Sequence, residues 1–152
     1  MKKSEWGNAV WYLFHTLSYK LKPEYRSETV VLFSHINSIC SNLPCPDCQE
    51  HATKVLSLVN KRVVTGSREA LINFLHTFHN IVNKRLKTPE FSVEALNEKY
   101  GRANTQKVIS HFIEIMSSNM NNEKLMMNSF RRQNYMNSFV TYITQNGYKF
   151  NP

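Results

Sequence analysis

Cys45-Pro46-Asp47-Cys48 sets two cysteines two residues apart in a chain whose only other cysteine is Cys40. The pair stands where an amphipathic helix would begin: counting from Cys48, the residues Ala52, Val55 and Val59 return to one side at a 3.6-residue period. At a helix N-terminus the unpaired backbone N–H groups and the macrodipole favour a thiolate, the form of cysteine that attacks disulfides. Cys48 is therefore expected to face inward. Cys45, a turn earlier and next to Pro44, is expected to stay nearer solvent, so that one sulfur meets an outside partner and the other meets something buried. That asymmetry predicts a redox centre that relays electrons.

Two other readings use the same residues. Zinc needs four ligands as a rule, and Cys45, Cys48 and nearby His51 stop at three unless His76, His79 or Cys40 joins them; there is no second CxxC. A purely structural cysteine pair is the other. Cys40 itself sits on an apolar stripe and is expected to be a buried free thiol, with thiol exchange at Cys45 as the alternative.

The elements that must position these residues are helical. At 152 residues and 41% hydrophobic content the chain can bury one core, and four glycines and five prolines argue against an all-β fold. From about Ser4 to Leu21, Trp6, Ala9, Val10, Leu13 and Leu17 share a face, with Trp11, His15 and Ser18 on a stripe beside it and Pro23 as the stop. A second helix over about Ser27 to Asn42 carries Leu32, Ile36, Ile39, Cys40 and Leu43. The third starts at the CxxC, and Thr65-Gly66-Ser67 breaks the chain before the fourth, about Ser67 to Leu86. Four helices with short connections predict an all-α antiparallel four-helix bundle.

On the fourth helix Leu71, Leu75, Phe78, Val82 and Leu86 read as core. His76, His79, Asn80, Asn83 and Lys87 recur at i, i+3, i+4, i+7 and i+11 and form an adjoining polar stripe. Hydrogen-bonding groups and charge beside a core edge suit a large polar ligand with an anionic portion, held between helices; an ordinary solvated flank is the plainer reading.

Charge and targeting narrow the class. The formal net charge is +8, but the cations are scattered in small groups such as Lys61-Arg62 and Lys84-Arg85-Lys87, with no helix-turn-helix, RNP-like or zinc-finger pattern, so nucleic acid is not the expected ligand. There is no signal-peptide core after Met1-Lys2-Lys3 and no apolar run of membrane-spanning length, and three cysteines are too few for a disulfide-stapled secreted domain. The expectation is a soluble, intracellular protein in a reducing compartment.

Trp6-Gly7-xxx-Trp11-xxx-His15-Thr16, Leu43-Pro44-Cys45-Pro46-Asp47-Cys48 and His79-Asn80-Ile81-Val82-Asn83-Lys84-Arg85-Leu86 together resemble, in order and spacing, the Erv/ALR family of FAD-linked sulfhydryl oxidases. The stretch from Leu43 to Ala52 is most similar to the short forms of large cytoplasmic DNA viruses such as poxviruses and asfarviruses. The resemblance implies a four-helix bundle with a short fifth helix, a homodimer, and FAD held against the CxxC. It implies cofactor contacts from Gly7, Trp11, His15 and Tyr19 on helix one, from Cys48, and from His76, His79, Asn80, Val82 and Asn83 on helix four. Lys84 and Lys87 would lie near the pyrophosphate, and Tyr100 over the adenine. It further implies that a dithiol client protein or thioredoxin-like carrier reduces Cys45, that Cys48 passes the electrons to FAD, and that oxygen takes them as hydrogen peroxide. The viral likeness implies the host cytoplasm, a viral factory or the virion as the compartment.

Four departures stand out. Thr88 replaces the lysine before the proline of the family's L-x-K-P segment, Phe74 replaces a tryptophan, and the additional shuttle CxxC of cellular members is missing, so clients must reach Cys45 directly. The family-like unit ends near residue 102, leaving residues 103–152 as a helical extension of unassigned role, with Val108, Ile109, Phe112, Ile113 and Met116 on one helix and Phe130, Tyr135, Phe139, Val140 and Ile143 on another. Asn119 to Asn122 reads as their connector. The extension either packs on the bundle or offers a surface for dimerisation or clients.

Overall fold

A computed structural model describes residues 2–118 and 126–152 of the chain; the Asn119 to Asn122 connector lies outside the described residues. Helix α1 spans Lys3–Lys20 and buries Trp6, Ala9, Val10, Leu13 and Leu17, the stripe that periodicity marks. It stops because Pro23 holds Lys22 in extended backbone. Leu21 turns out instead to pair with Phe150 in an isolated antiparallel bridge. Pro23–Glu28 then form a 3-10 turn, so the second helix, α2, begins at Thr29 rather than near Ser27 and runs to Cys40.

Helix α3, Pro46–Ser57, uses Cys45 as its N-cap: the Cys45 Sγ accepts the Cys48 backbone N–H at 3.3 Å, and Pro46 occupies the first helical position where no donor is needed. A one-turn helix α4, Lys61–Val64, follows. Gly66 then sits where space is tight, since a Cβ there would stand 3.2 Å from the Arg62 carbonyl oxygen and 3.3 Å from that of Val63. Ser67 caps α5, Arg68–Arg85, by accepting the Ala70 N–H. Lys87 adopts φ 57, a left-handed residue just past the helix end. Helix α6, Val93–Gly101, is the short fifth helix of the bundle; α7, Thr105–Ser118, and α8, Met126–Asn146, complete the chain.

The fold is all-α, with α1, α2, α3 and α5 as the bundle. Helix α1 is the hub, touching α2, α5, α6 and, most extensively, α7. Phe112 and Met116 of α7 and Tyr135, Met136 and Phe139 of α8 are buried in the same apolar cluster as Leu13, Ile36 and Leu75. Burial of that kind contributes roughly 1.5–3 kcal/mol per large side chain, so the last third of the chain is built into the core. Two expectations fail here. Leu86 is 44% exposed because the helix has ended beside it, and Phe130 is 71% exposed.

Candidate functional site

A cavity of about 420 Å³ opens between the first half of α1, the start of α3 and the last half of α5. Gly7, Val10 and Trp11 border it from α1, Cys48 and Ala52 from α3, and Phe78, His79, Val82 and Asn83 from α5. Cys40 and Leu43 reach it from the end of α2 and the loop beyond. The walls are mostly aromatic and aliphatic, while Lys3, His51 and Arg85 bring nitrogen groups to the rim.

Trp11 and His79 lie face to face, 4.0 Å between ring centres and 6° from parallel. Behind them His15 Nε2 is 2.9 Å from His79 Nδ1, and His15 stacks on Tyr100 at 4.5 Å. His15 Nδ1 is buried with no partner among the described residues. An orphaned donor is rarer in proteins than an orphaned acceptor. The tautomer that leaves none has His15 Nε2–H donating to His79 Nδ1, which places the His79 proton on Nε2. Burial pushes His79 down to about 3, with Lys99 and His76 adding to it, and burial together with His79 holds His15 well below the ordinary imidazole range. Both rings are neutral at physiological pH.

The polar stripe divides into two jobs. His79 and Asn83 border the cavity. His76 and Asn80 instead grip the chain after the helix: His76 Nε2 is 2.8 Å from the Phe91 carbonyl oxygen, Asn80 Nδ2 donates to the same oxygen at 3.0 Å, and the Phe91 N–H donates to Asn80 Oδ1 at 3.1 Å. Phe91 thereby presses its ring edge-on to His79, 4.7 Å away. Lys87 leaves the stripe because its φ of 57 breaks the helical period.

Of the other residues singled out from sequence, Tyr19 bonds Asn97 through its hydroxyl. Lys84 and Lys87 are exposed and off the cavity. Tyr100 is 1% exposed behind His15, packed with Ile72 and Leu96, so its ring backs the cavity wall without reaching the cavity. The cations that do border the cavity, Lys3 and Arg85, were not distinguishable from any other surface lysine or arginine by pattern. Arg85 carries the clearest cue in retrospect, lying one turn beyond Val82 on the same helix.

The two cysteines are both half-buried free thiols, so burial does not separate them. The asymmetry lies in what they face: Cys48 borders the cavity and Cys45 does not. Burial pushes the Cys48 thiol up, and its hydrogen bond with Cys45 pushes the same way, while Lys3 partly offsets both. Position at the helix N-terminus therefore does not make Cys48 a ready thiolate. Cys40 is 2% exposed, and burial drives its thiol far above the ordinary range. Among the described residues no three His, Cys, Asp or Glu side chains come together as a metal site. No helix among them is long and apolar enough to cross a membrane.

The model of the Erv1/Alr family matches residues 8–101, which hold the whole cavity except its Lys3-to-Gly7 edge. The chain belongs to the Erv1/Alr family. It is 34% identical over 97 residues to a protein of Invertebrate iridescent virus 3 named as an FAD-linked sulfhydryl oxidase, a match covering 62% of this chain and 65% of that one. It is 31% identical over 103 residues to the FAD-linked sulfhydryl oxidase of Oryza sativa, covering 67% of this chain and 52% of the relative. A fowlpox virus protein, also named as such an oxidase, is 26% identical over 90 residues, covering 59% of this chain and 86% of its own length. The chain thus spans about half to two thirds of the first two relatives. No solved structure matches. Residues beyond Gly101, including α7 and α8, lie outside the Erv1/Alr match.

Proposed function

We propose that the chain is an FAD-dependent sulfhydryl oxidase that makes disulfides in dithiol proteins and delivers the electrons to oxygen as hydrogen peroxide. One observation carries the reading: Cys48 borders a cavity walled by Trp11, Phe78, His79 and Val82, while Cys45, its partner three residues earlier, remains outside that cavity. A flat, amphiphilic ring fits these walls, and the volume is within the roughly 300–1,000 Å³ of small-molecule sites. When bound there, flavin supplies a two-electron acceptor for the Cys45–Cys48 dithiol and a donor to oxygen.

The protein's own residues do the rest. A client thiolate attacks Cys45 of the oxidised centre, the mixed disulfide forms, and the client's second thiolate displaces Cys45, leaving the Cys45–Cys48 dithiol and an oxidised client. Cys48 then must lose its proton, a step opposed by burial and assisted by Lys3. Gly7, Trp11, Val82 and Asn83 would hold the ring beside Cys48. His79, kept neutral by burial and held in place by His15, offers its Nε2–H as a donor. His76 and Asn80 act through Phe91, Tyr100 backs the wall behind His15, and Tyr19 stands further off with Ile72, Leu96 and Tyr100. Lys3 and Arg85 border the cavity and are the cations best placed for the anionic portion, with Lys84 and Lys87 further out.

We further propose that residues 1–102 carry this chemistry, that residues 103–152 are a helical addition integral to the core, and that the client is a small dithiol protein or thioredoxin-like carrier in a reducing compartment such as the cytoplasm of an infected cell. A homodimer is proposed from the family resemblance; Val30 and Val31, 44% and 38% exposed on α2, are apolar residues available to a second copy.

The test is a visible spectrum of the purified protein before and after dithiothreitol in air, with peroxide assayed in the same tube. A yellow flavin that bleaches and recovers while peroxide accumulates is the expected result. A colourless protein that FAD cannot reconstitute would sink the oxidase and turn attention to a non-enzymatic helical module.

A further inference from the structure

We infer that Arg132 on α8 is a positioning residue for the CxxC centre: through the Leu43 carbonyl it holds the segment that delivers Cys45. Its functional meaning rests on the oxidase reading above, but the contact itself does not. Arg132 is 4% exposed, and its Nη2 donates to the Leu43 carbonyl oxygen at 3.4 Å, a contact between residues 89 apart in sequence. The Gln49 side-chain amide donates to the same oxygen from within α3.

Leu43 is thus tied from α8 and from α3 at the point where the chain leaves α2 and has not yet entered α3. Pro44 follows and has no N–H of its own to fix the loop. The next residue is Cys45, whose Sγ must meet the Cys48 sulfur. Leu43 and Cys40 also border the cavity that Cys48 faces. Tyr135, one turn along α8 from Arg132, lies close enough to both Arg132 and Cys40 for its phenol to be influenced by each. The extension therefore brings a buried cation and a buried phenol under the redox loop.

Packing alone does not call for this residue. Arg132 shares α8 with the buried Met136 and Phe139, and a well-packed apolar side chain in place of a buried ion is often neutral or stabilising. A guanidinium is costly to desolvate unless hydrogen bonds compensate. Its distinctive product here is a charge-assisted bond to one loop carbonyl. Holding that carbonyl raises the effective concentration of Cys45 at Cys48, and so favours the intramolecular disulfide over the dithiol.

The experiment is an anaerobic equilibration of the full chain with dithiothreitol at graded ratios of its reduced and cyclic forms, read by alkylation and mass spectrometry of Cys45 and Cys48. In that exchange the Cys45–Cys48 disulfide gains two electrons and two protons, and dithiothreitol loses them in forming its ring. Arg132→Met is expected to move the equilibrium at least about fivefold toward the protein dithiol, and Arg132→Lys, which keeps a cationic donor, to return it to within about twofold of the parent. Loss of global stability alone would leave the equilibrium of the folded molecules unchanged, so folded Arg132→Met at the parent value overturns the inference. If Arg132→Met does not fold, Arg132→Gln is measured instead: a shift of at least about twofold supports the role and parity with the parent overturns it. The readout needs no flavin turnover, so a chain that proves not to be an oxidase leaves it readable.

Discussion

His15 and His79 meet across the contact of α1 and α5 with Nε2 and Nδ1 2.9 Å apart, a neutral pair sealed between Trp11 and Tyr100. Their depressed affinity for protons makes the fold sensitive to acid. In the unfolded chain each imidazole titrates near 6.5, whereas in the folded chain His79 titrates at about 3 and His15 also well below normal. The unfolded state binds more protons through that window, so the stability is fully present above about pH 6.5 and is lost as pH falls toward about 3. Between pH 7 and pH 5 His79 alone should cost about 2 kcal/mol, a Tm lower by roughly 4–8 °C, with His15 adding in the same direction. Thermal melts at the two pH values check this, and His79→Gln should flatten the difference. Equal melting temperatures for the parent would show that the pair does not titrate as described.

Cys48 should react sluggishly near neutrality. Because burial and Cys45 raise its thiol, its rate of alkylation in the reduced protein should climb about tenfold per pH unit through the neutral range and level off above the ordinary thiol range. Lys3→Met removes the one group that favours the thiolate and should push the midpoint higher. A plateau already reached by pH 7 would contradict the assignment.

Cys48→Ser should lower dithiol oxidation by at least about 100-fold while FAD still binds, because the lesion removes one sulfur and leaves the aromatic walls in place. Cys45→Ser should do the same to oxidation of a protein client. The outcome to look for is flavin colour without peroxide; turnover retained by Cys48→Ser would break the proposed electron route.

Asn80 is expected to matter through Phe91. Asn80→Ala strips two of the three hydrogen bonds that pin the Phe91 backbone, leaving the one from His76, at a cost of about 1–3 kcal/mol, and loosens the ring that buttresses His79. Flavin affinity should fall along with stability, measurable by FAD titration and thermal melts. Stability lost with affinity unchanged would confine Asn80 to folding.

Helices α7 and α8 should not be removable. Phe112 is wholly buried among residues of α1 and α8, so Phe112→Ala should cost about 3–5 kcal/mol. A chain cut after Arg102 should be largely unfolded or aggregated by circular dichroism and gel filtration, since α1 loses the neighbour it touches most. A monodisperse, helical 1–102 fragment would mean that the extension is a detachable accessory.

Periodicity alone marked Trp6, Val10, Leu13 and Leu17 on α1 and Leu71, Leu75 and Phe78 on α5 as core, because a 3.6-residue repeat puts such residues on one face whatever that face meets. The CxxC at the head of α3 and the three ordered motifs likewise named the family from local spacing. What each polar residue touches was beyond local pattern. His76, His79 and Asn80 share one helical stripe, yet only contact with Phe91, eleven or more residues on, separates two of them from the cavity. Helix ends were blurred in the same way: Leu86 left the core and Lys87 left the stripe because the backbone turned left-handed there. The place of α7 against α1 and of α8 against α7 and α2, and the reach of Arg132 back to Leu43, were decided by tertiary structure alone. An apolar stripe states that a helix must be covered; which helix covers it depends on shape and packing summed over the whole chain.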